Sequence, residues 1–127
     1  MRVDRIVKAA VEALEDIKGR DIVVLNVVKL TAMFDRVIIA TGDSTRQVRS
    51  LADNVQAKIR EKGGTVQGME GLQTSEWVLI DLGTVIVHVM LPTVRAHYNL
   101  EELWTARPAV RKSRKLATTN ADVDADA

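Results

Sequence analysis

At 127 residues and 46% apolar content the chain can close one hydrophobic core unaided, and its lack of cysteine excludes disulfides, thiolate metal sites and thiol nucleophiles together. The net charge of +1 resolves into 14 basic and 14 acidic side chains over residues 1–107, against four basic and three acidic over 108–127. So neutral a body lacks the Lys and Arg surplus on which nonspecific nucleic-acid binding depends, and no apolar run approaches the ~18 residues of a membrane span.

Val3, Ile6, Val7, Ala10, Leu14 and Ile17 recur at three and four residues between charged positions, which predicts an amphipathic first helix. Gly19 is expected to end it in a left-handed conformation, and Ile22 to Val28 reads as a strand. Phe34 to Ala40 reads as a second strand that stops at the turn Thr41-Gly42-Asp43-Ser44. Val48, Leu51, Ala52, Val55 and Ile59 then define a second helix up to Gly63-Gly64, with Asp43 or Ser44 placed to accept from its first free N–H groups.

A short strand is expected at Thr65 to Gln67, followed by a loop between Gly68 and Gly71. Trp77 to Asp81 and Val85 to Met90 are β-rich runs separated by Leu82-Gly83, the pattern of an antiparallel hairpin. Pro92 suits the first turn of a last helix running to Trp104. The order predicts an α/β (α+β) fold, a mixed β-sheet flanked by helices, occupying residues 1–107. Residues 108–127, with the basic run Arg111 to Lys115, offer little apolar surface and are expected to form a disordered tail.

Chemistry-bearing residues are sparse. The Gly42 turn precedes a helix and could cradle an anion with Arg46 or Arg49 nearby, but it lacks both the dinucleotide glycine spacing and the P-loop ending, so a tight turn with a helix cap is the simpler reading. A nucleotidyltransferase would add two carboxylates spaced by one residue on a strand to hold metal ions. Here Asp81 is followed at that interval by Gly83, so metal-dependent phosphoryl transfer is disfavoured and neither cofactor nor metal is expected. His88, on an apolar strand, reads as a hydrogen-bonded sheet histidine. Arg46, Arg49, Lys58, Arg60 and Lys62 could form a basic helix face for RNA, or an ordinary solvated one.

What stands out is Glu70 to Trp104, where Glu70, Glu76, Asp81, Glu101 and Glu102 face only Arg95 in charge and the hairpin supplies apolar surface. Alternation puts Trp77, Leu79 and Asp81 on one strand face and Val78, Ile80 and Leu82 on the other, so one set can lack a helix cover. An apolar, acidic face of this kind fits a basic protein partner.

Blocks along the chain resemble the ribosomal silencing factor family, also called Iojap-like or RsfS, across roughly residues 5 to 105. They are Lys18-Gly-Arg-Asp-Ile22, Phe34-Asp35 leading to Ile39-Ala-Thr-Gly42, Ser44-Thr-Arg-Gln-Val48, Glu70-Gly71, Trp77-Val-Leu-Ile-Asp81-Leu-Gly83, Val87-His-Val89 and Tyr98-Asn-Leu-Glu-Glu-Leu-Trp104. The resemblance implies a nucleotidyltransferase-like core without the catalytic carboxylates, and a non-enzymatic, cytoplasmic protein. It implies binding to the large ribosomal subunit through its protein conventionally numbered fourteen, which blocks joining with the small subunit and lowers translation when nutrients are scarce. Carried over by motif, the partner-binding residues are Glu70, Trp77, Asp81 and Tyr98, with Leu82 and Met90 as further apolar candidates. A peripheral ribosomal RNA contact from the tail and a homodimer of the free protein stay open; no membrane contact is expected.

Overall fold

The computed structural model describes residues 1–105 and, as backbone only, the short strands β6 (Asn120–Ala121) and β7 (Val123–Asp124). Apart from those four residues, the tail expected from 108 onward lies outside the described residues. In chain order the body is α1 (Val3–Asp16), β1 (Arg20–Asn26), β2 (Arg36–Thr41), α2 (Thr45–Glu61), β3 (Gly68–Glu70), β4 (Trp77–Asp81), β5 (Val85–Met90), α3 (Pro92–Tyr98) and α4 (Leu100–Thr105). Strands β1 to β5 form one mixed sheet in the order β1-β2-β5-β4-β3, in which only β2 and β5 run parallel. The expected α+β architecture is what the chain adopts.

Period-two alternation divides the sheet into two chemically different faces. Ile38 and Ala40 of β2, Val78 and Ile80 of β4, and Val85, Val87 and Val89 of β5 pack under α1 and α2 in the main core. Ala9, Ala10 and Ala13 of α1 are buried there too, small enough to let the two helices approach closely. Asn54 Nδ2 donates to the Ala13 carbonyl at 2.8 Å and Lys58 pairs with Asp16 at 3.3 Å, so polar links fasten α2 to α1 at the rim of that contact.

The opposite face carries a smaller cluster of Val27, Val37, Ile39 and Met90, covered by Leu30 and Phe34 from the loop after β1 and by Val94, Leu100 and Trp104 from α3 and α4. Phe34 and Trp104 meet edge to face at 5.6 Å. This cover lies over β2 and the end of β5. Among the described residues, the outer part of the face, on β3 and β4, meets a helix only at Trp77, on which Tyr98 of α3 packs.

Several sequence expectations shift locally. Lys18, at φ 63°, takes the left-handed position after α1 in place of Gly19, whose own requirement is space: a Cβ there would lie 3.1 Å from the Leu14 carbonyl oxygen. The strand after Gly63-Gly64 is Gly68–Glu70 rather than Thr65 to Gln67, because pairing with Leu79 to Asp81 fixes its register. The last helix breaks in two at Asn99, which adopts φ 47° and closes α3 with a bond from its N–H to the Arg95 carbonyl. The hairpin forms as expected, with Gly83 at φ 90° and its N–H donating to Asp81 Oδ1 at 2.9 Å.

Candidate functional site

The uncovered face is built by the alternation of β4. Val78 and Ile80 must point into the helix-side core, so Trp77, Leu79 and Asp81 are driven to the other side, where all three are half-buried. Trp77 sits opposite Met90 and Leu79 opposite His88 in the antiparallel register, while Glu70 of β3 lies opposite Leu79 from the far side and is exposed. The result is an apolar strip of Trp77 and Leu79 with carboxylates at Glu70 and Asp81 along its edge.

Tyr98 completes the strip from α3. Its ring packs on Trp77 with centroids 4.8 Å apart and planes at 47°, yet the residue is 55% exposed, so the pair presents a large aromatic surface to solvent. His97 stands edge-on to Tyr98 at 4.8 Å. The tilt of α3 that delivers Tyr98 is held by Arg95, which is nearly buried and makes a bidentate pair with Glu101 at 3.1 and 2.9 Å. Its third nitrogen donates to Thr41 Oγ1 on β2 at 2.8 Å. One guanidinium thus ties α3, α4 and the sheet together, and its hydrogen bonds hold the Glu101 carboxyl below the usual range.

Trp77 is anchored from below as well. Its indole Nε1–H donates to Nδ1 of His88 at 3.0 Å, and His88 is itself buried. Burial pushes the His88 pKa down to about 4, so the ring is neutral near neutral pH and can accept at Nδ1. The sheet histidine expected from the sequence therefore has a defined partner. That link was invisible in the sequence, since Trp77 reaches His88 diagonally across the hairpin from its own position opposite Met90.

Two of the expected contact residues offer little surface. Leu82 is 4% exposed and belongs to the helix-side core, on the opposite side of the sheet from Trp77. Met90 is fully buried beneath α3 and α4. Their apolar side chains pack within the two cores. Glu70, Trp77, Asp81 and Tyr98 do lie on the uncovered face, and Leu79 joins them. Asp81 also has structural work, since Oδ1 closes the hairpin turn.

At the Gly42 turn the polar groups are engaged internally. Ser44 Oγ accepts from Gln47 N–H at 3.1 Å as the cap of α2, and Gln47 Oε1 in turn accepts from Asp43 N–H at 2.7 Å. Gln47 Nε2 donates to the carbonyls of Ile17 and Lys18, while Asp43 is bound by Arg20, whose Nε lies 2.9 Å from Oδ1. Hydrogen bonding to Arg20 lowers the Asp43 pKa. The turn is a joint between α1, β1 and α2. A shallow cleft of about 390 Å³ beside it is lined by Arg20, Asp21, Thr41, Arg95, Asn99 and Glu101, in which both arginines are paired with carboxylates. Among the described residues no group of three or more His, Cys, Asp and Glu is placed to hold a metal ion, and no helix is long and apolar enough to cross a membrane.

Comparison with known proteins agrees with this architecture. The chain is 49% identical in sequence to a protein from Chromobacterium violaceum of known crystal structure, with a TM-score of 0.82 over 96% of this chain and 98% of that one. A crystal structure from Bacillus halodurans superposes with a TM-score of 0.73 at 38% identity, over 80% of this chain and 94% of that one. Among curated proteins, a ribosomal silencing factor of Chromobacterium violaceum is 56% identical, covering 82% of this chain and 85% of the relative. A mouse protein named for mitochondrial assembly of the ribosomal large subunit is 30% identical over 76% of this chain and 44% of its own length. The chloroplastic Iojap protein of Zea mays is 36% identical over 73% of this chain and 40% of its own length. The family model described as "Ribosomal silencing factor during starvation" matches residues 1–127, and the chain belongs to that family.

Proposed function

We propose that the face formed by Trp77, Leu79 and Tyr98, edged by Glu70 and Asp81, docks on the large ribosomal subunit through the ribosomal protein conventionally numbered fourteen. The bound domain stands where the small subunit must approach, so joining is blocked sterically and translation falls under nutrient limitation. No bond is made or broken. Affinity for the large subunit sets the activity.

The observation that carries this reading is an aromatic pair left open to solvent in a chain of this family: Tyr98 of α3 is 55% exposed on top of a half-buried Trp77. Tryptophan and tyrosine are the residues that most often dominate binding energy at protein interfaces. The carboxylates beside them suit a basic neighbour, raising the encounter rate, while desolvation of the rings slows departure. The mouse relative's name, which refers to assembly of the ribosomal large subunit, supports the same half of the ribosome as target.

The test is equilibrium binding of the purified chain to isolated large subunits and to purified protein fourteen. Tight binding to both, lost in a Trp77→Ala, Asp81→Lys double variant that still folds, is expected. Binding to naked ribosomal RNA equal to that for intact large subunits would replace this reading with an RNA-directed one. Saturable, magnesium-dependent nucleotide binding without any ribosomal affinity would replace it with an enzymatic one.

A further inference from the structure

Resting on that docking reading, we infer that His88 is the positioning residue of the Trp77 anchor: it takes the indole N–H into the sheet, so that the surface Trp77 offers its partner is hydrocarbon alone. The argument starts from the donor. An indole carries one N–H and no acceptor, and burying that N–H unpaired in an interface forfeits its hydrogen bond to water without replacement. A tryptophan used as an anchor must therefore find an acceptor on the partner or bring its own.

Here the acceptor comes from the chain itself. Trp77 Nε1 lies 3.0 Å from His88 Nδ1, and the two ring centroids are 5.9 Å apart with planes at 53°. His88 is buried on β5, so the indole N–H is taken up by the sheet and not offered to solvent. On its other side Tyr98 holds the ring at 4.8 Å. Two contacts from different elements fix one rotamer before any partner arrives, which reduces the ordering cost of association.

The neighbours explain why the residue is histidine. Ile86 and Met90, two positions away on the same strand face, are buried and have no strong acceptor to offer, and Leu79 opposite has none either. A neutral imidazole combines an sp² nitrogen acceptor at the reach of Nδ1 with a ring that fills a buried site. The inference also describes the partner: the surface receiving Trp77 needs no acceptor for the indole.

The test is a double-mutant cycle read by two methods. In the full chain labelled with ¹⁵N, a scalar coupling across the hydrogen bond between Trp77 Nε1 and His88 Nδ1 is expected, together with slow exchange of that indole proton. His88→Leu, which fills the site without an acceptor, should weaken binding to purified large subunits about fivefold, the equivalent of about 1 kcal/mol for one hydrogen bond. His88→Asn, whose Oδ1 stands near the place of Nδ1, should recover most of the loss. In a Trp77→Phe background, where there is no N–H to receive, His88→Leu should have no further effect.

An equal loss in both backgrounds, or a missing coupling in the folded wild type, overturns the role of His88 while leaving the docking face intact. Wild type that fails to bind large subunits at all overturns the docking reading, and this inference with it. If His88→Leu does not fold, the His88→Asn arm and the coupling decide the matter.

Discussion

Lowering the pH should destabilise this protein over a window set by His88. His88 is buried and its pKa falls to about 4, whereas an exposed histidine titrates near 6.5. Between those values the unfolded chain binds a proton that the native state refuses, so stability decreases as pH falls. Glu70 and Asp81 occupy the same sheet face, but burial is what dominates at His88. At 1.36 kcal/mol per pKa unit, the loss approaches about 1.4 kcal/mol per pH unit, reaches about 2 kcal/mol near pH 5 and totals about 3 kcal/mol by pH 4. Asp43 and Glu101 have lowered pKa values, so their contributions are present above the ordinary carboxylate range and are lost only below it. The two effects therefore separate along the pH axis. Urea unfolding followed by circular dichroism at about pH 7.5, 6.5, 5.5 and 5 measures the slope, and His88→Asn should flatten it. A wild-type stability constant across that range, or an unchanged slope in the variant, would refute the assignment of a neutral buried imidazole.

Other perturbations should act through different parts of the molecule. Leu51→Ala, at a fully buried position between α2 and the sheet, should lower stability by about 3 kcal/mol in the same urea experiment without changing the uncovered face. Arg95→Ala removes the bonds from α3 to Glu101 and Thr41; it should cost about 2 kcal/mol of stability and weaken large-subunit binding as Tyr98 loses its fixed position over Trp77. Raising salt from low to physiological concentration should slow association with the large subunit several-fold in stopped-flow or surface-binding kinetics, with a smaller change in dissociation.

Much of this architecture is legible in the residues because local patterns were strong. The 3.6-residue spacing of Val48, Leu51, Ala52, Val55 and Ile59 leaves no alternative to a helix, and Ser44 is the cap that its chemistry suggests. Alternation in β4 assigned Trp77, Leu79 and Asp81 to one face without knowledge of the sheet order. What could not be read depends on partners distant in sequence. Leu82 and Met90 look like surface contacts in a hairpin, yet one continues the helix-facing register and the other lies under a loop and two helices contributed from elsewhere. Arg95 looks like a lone cation among acids until the bend at Asn99 brings Glu101 back to it across six residues. Strand β3 lies three residues beyond the Thr65 to Gln67 expected from the sequence, because Gly68–Glu70 is weakly β-forming and only pairing with β4 fixes it.

The most direct trial of steric silencing is sedimentation of purified small and large subunits under joining conditions, with wild type and with the Trp77→Ala, Asp81→Lys variant. Wild type in excess should hold the subunits apart and travel with the large one, while the variant should leave joined particles at the level seen without added protein. Joined particles undiminished by wild type that is demonstrably bound to the large subunit would show that occupancy of this face does not obstruct the small subunit.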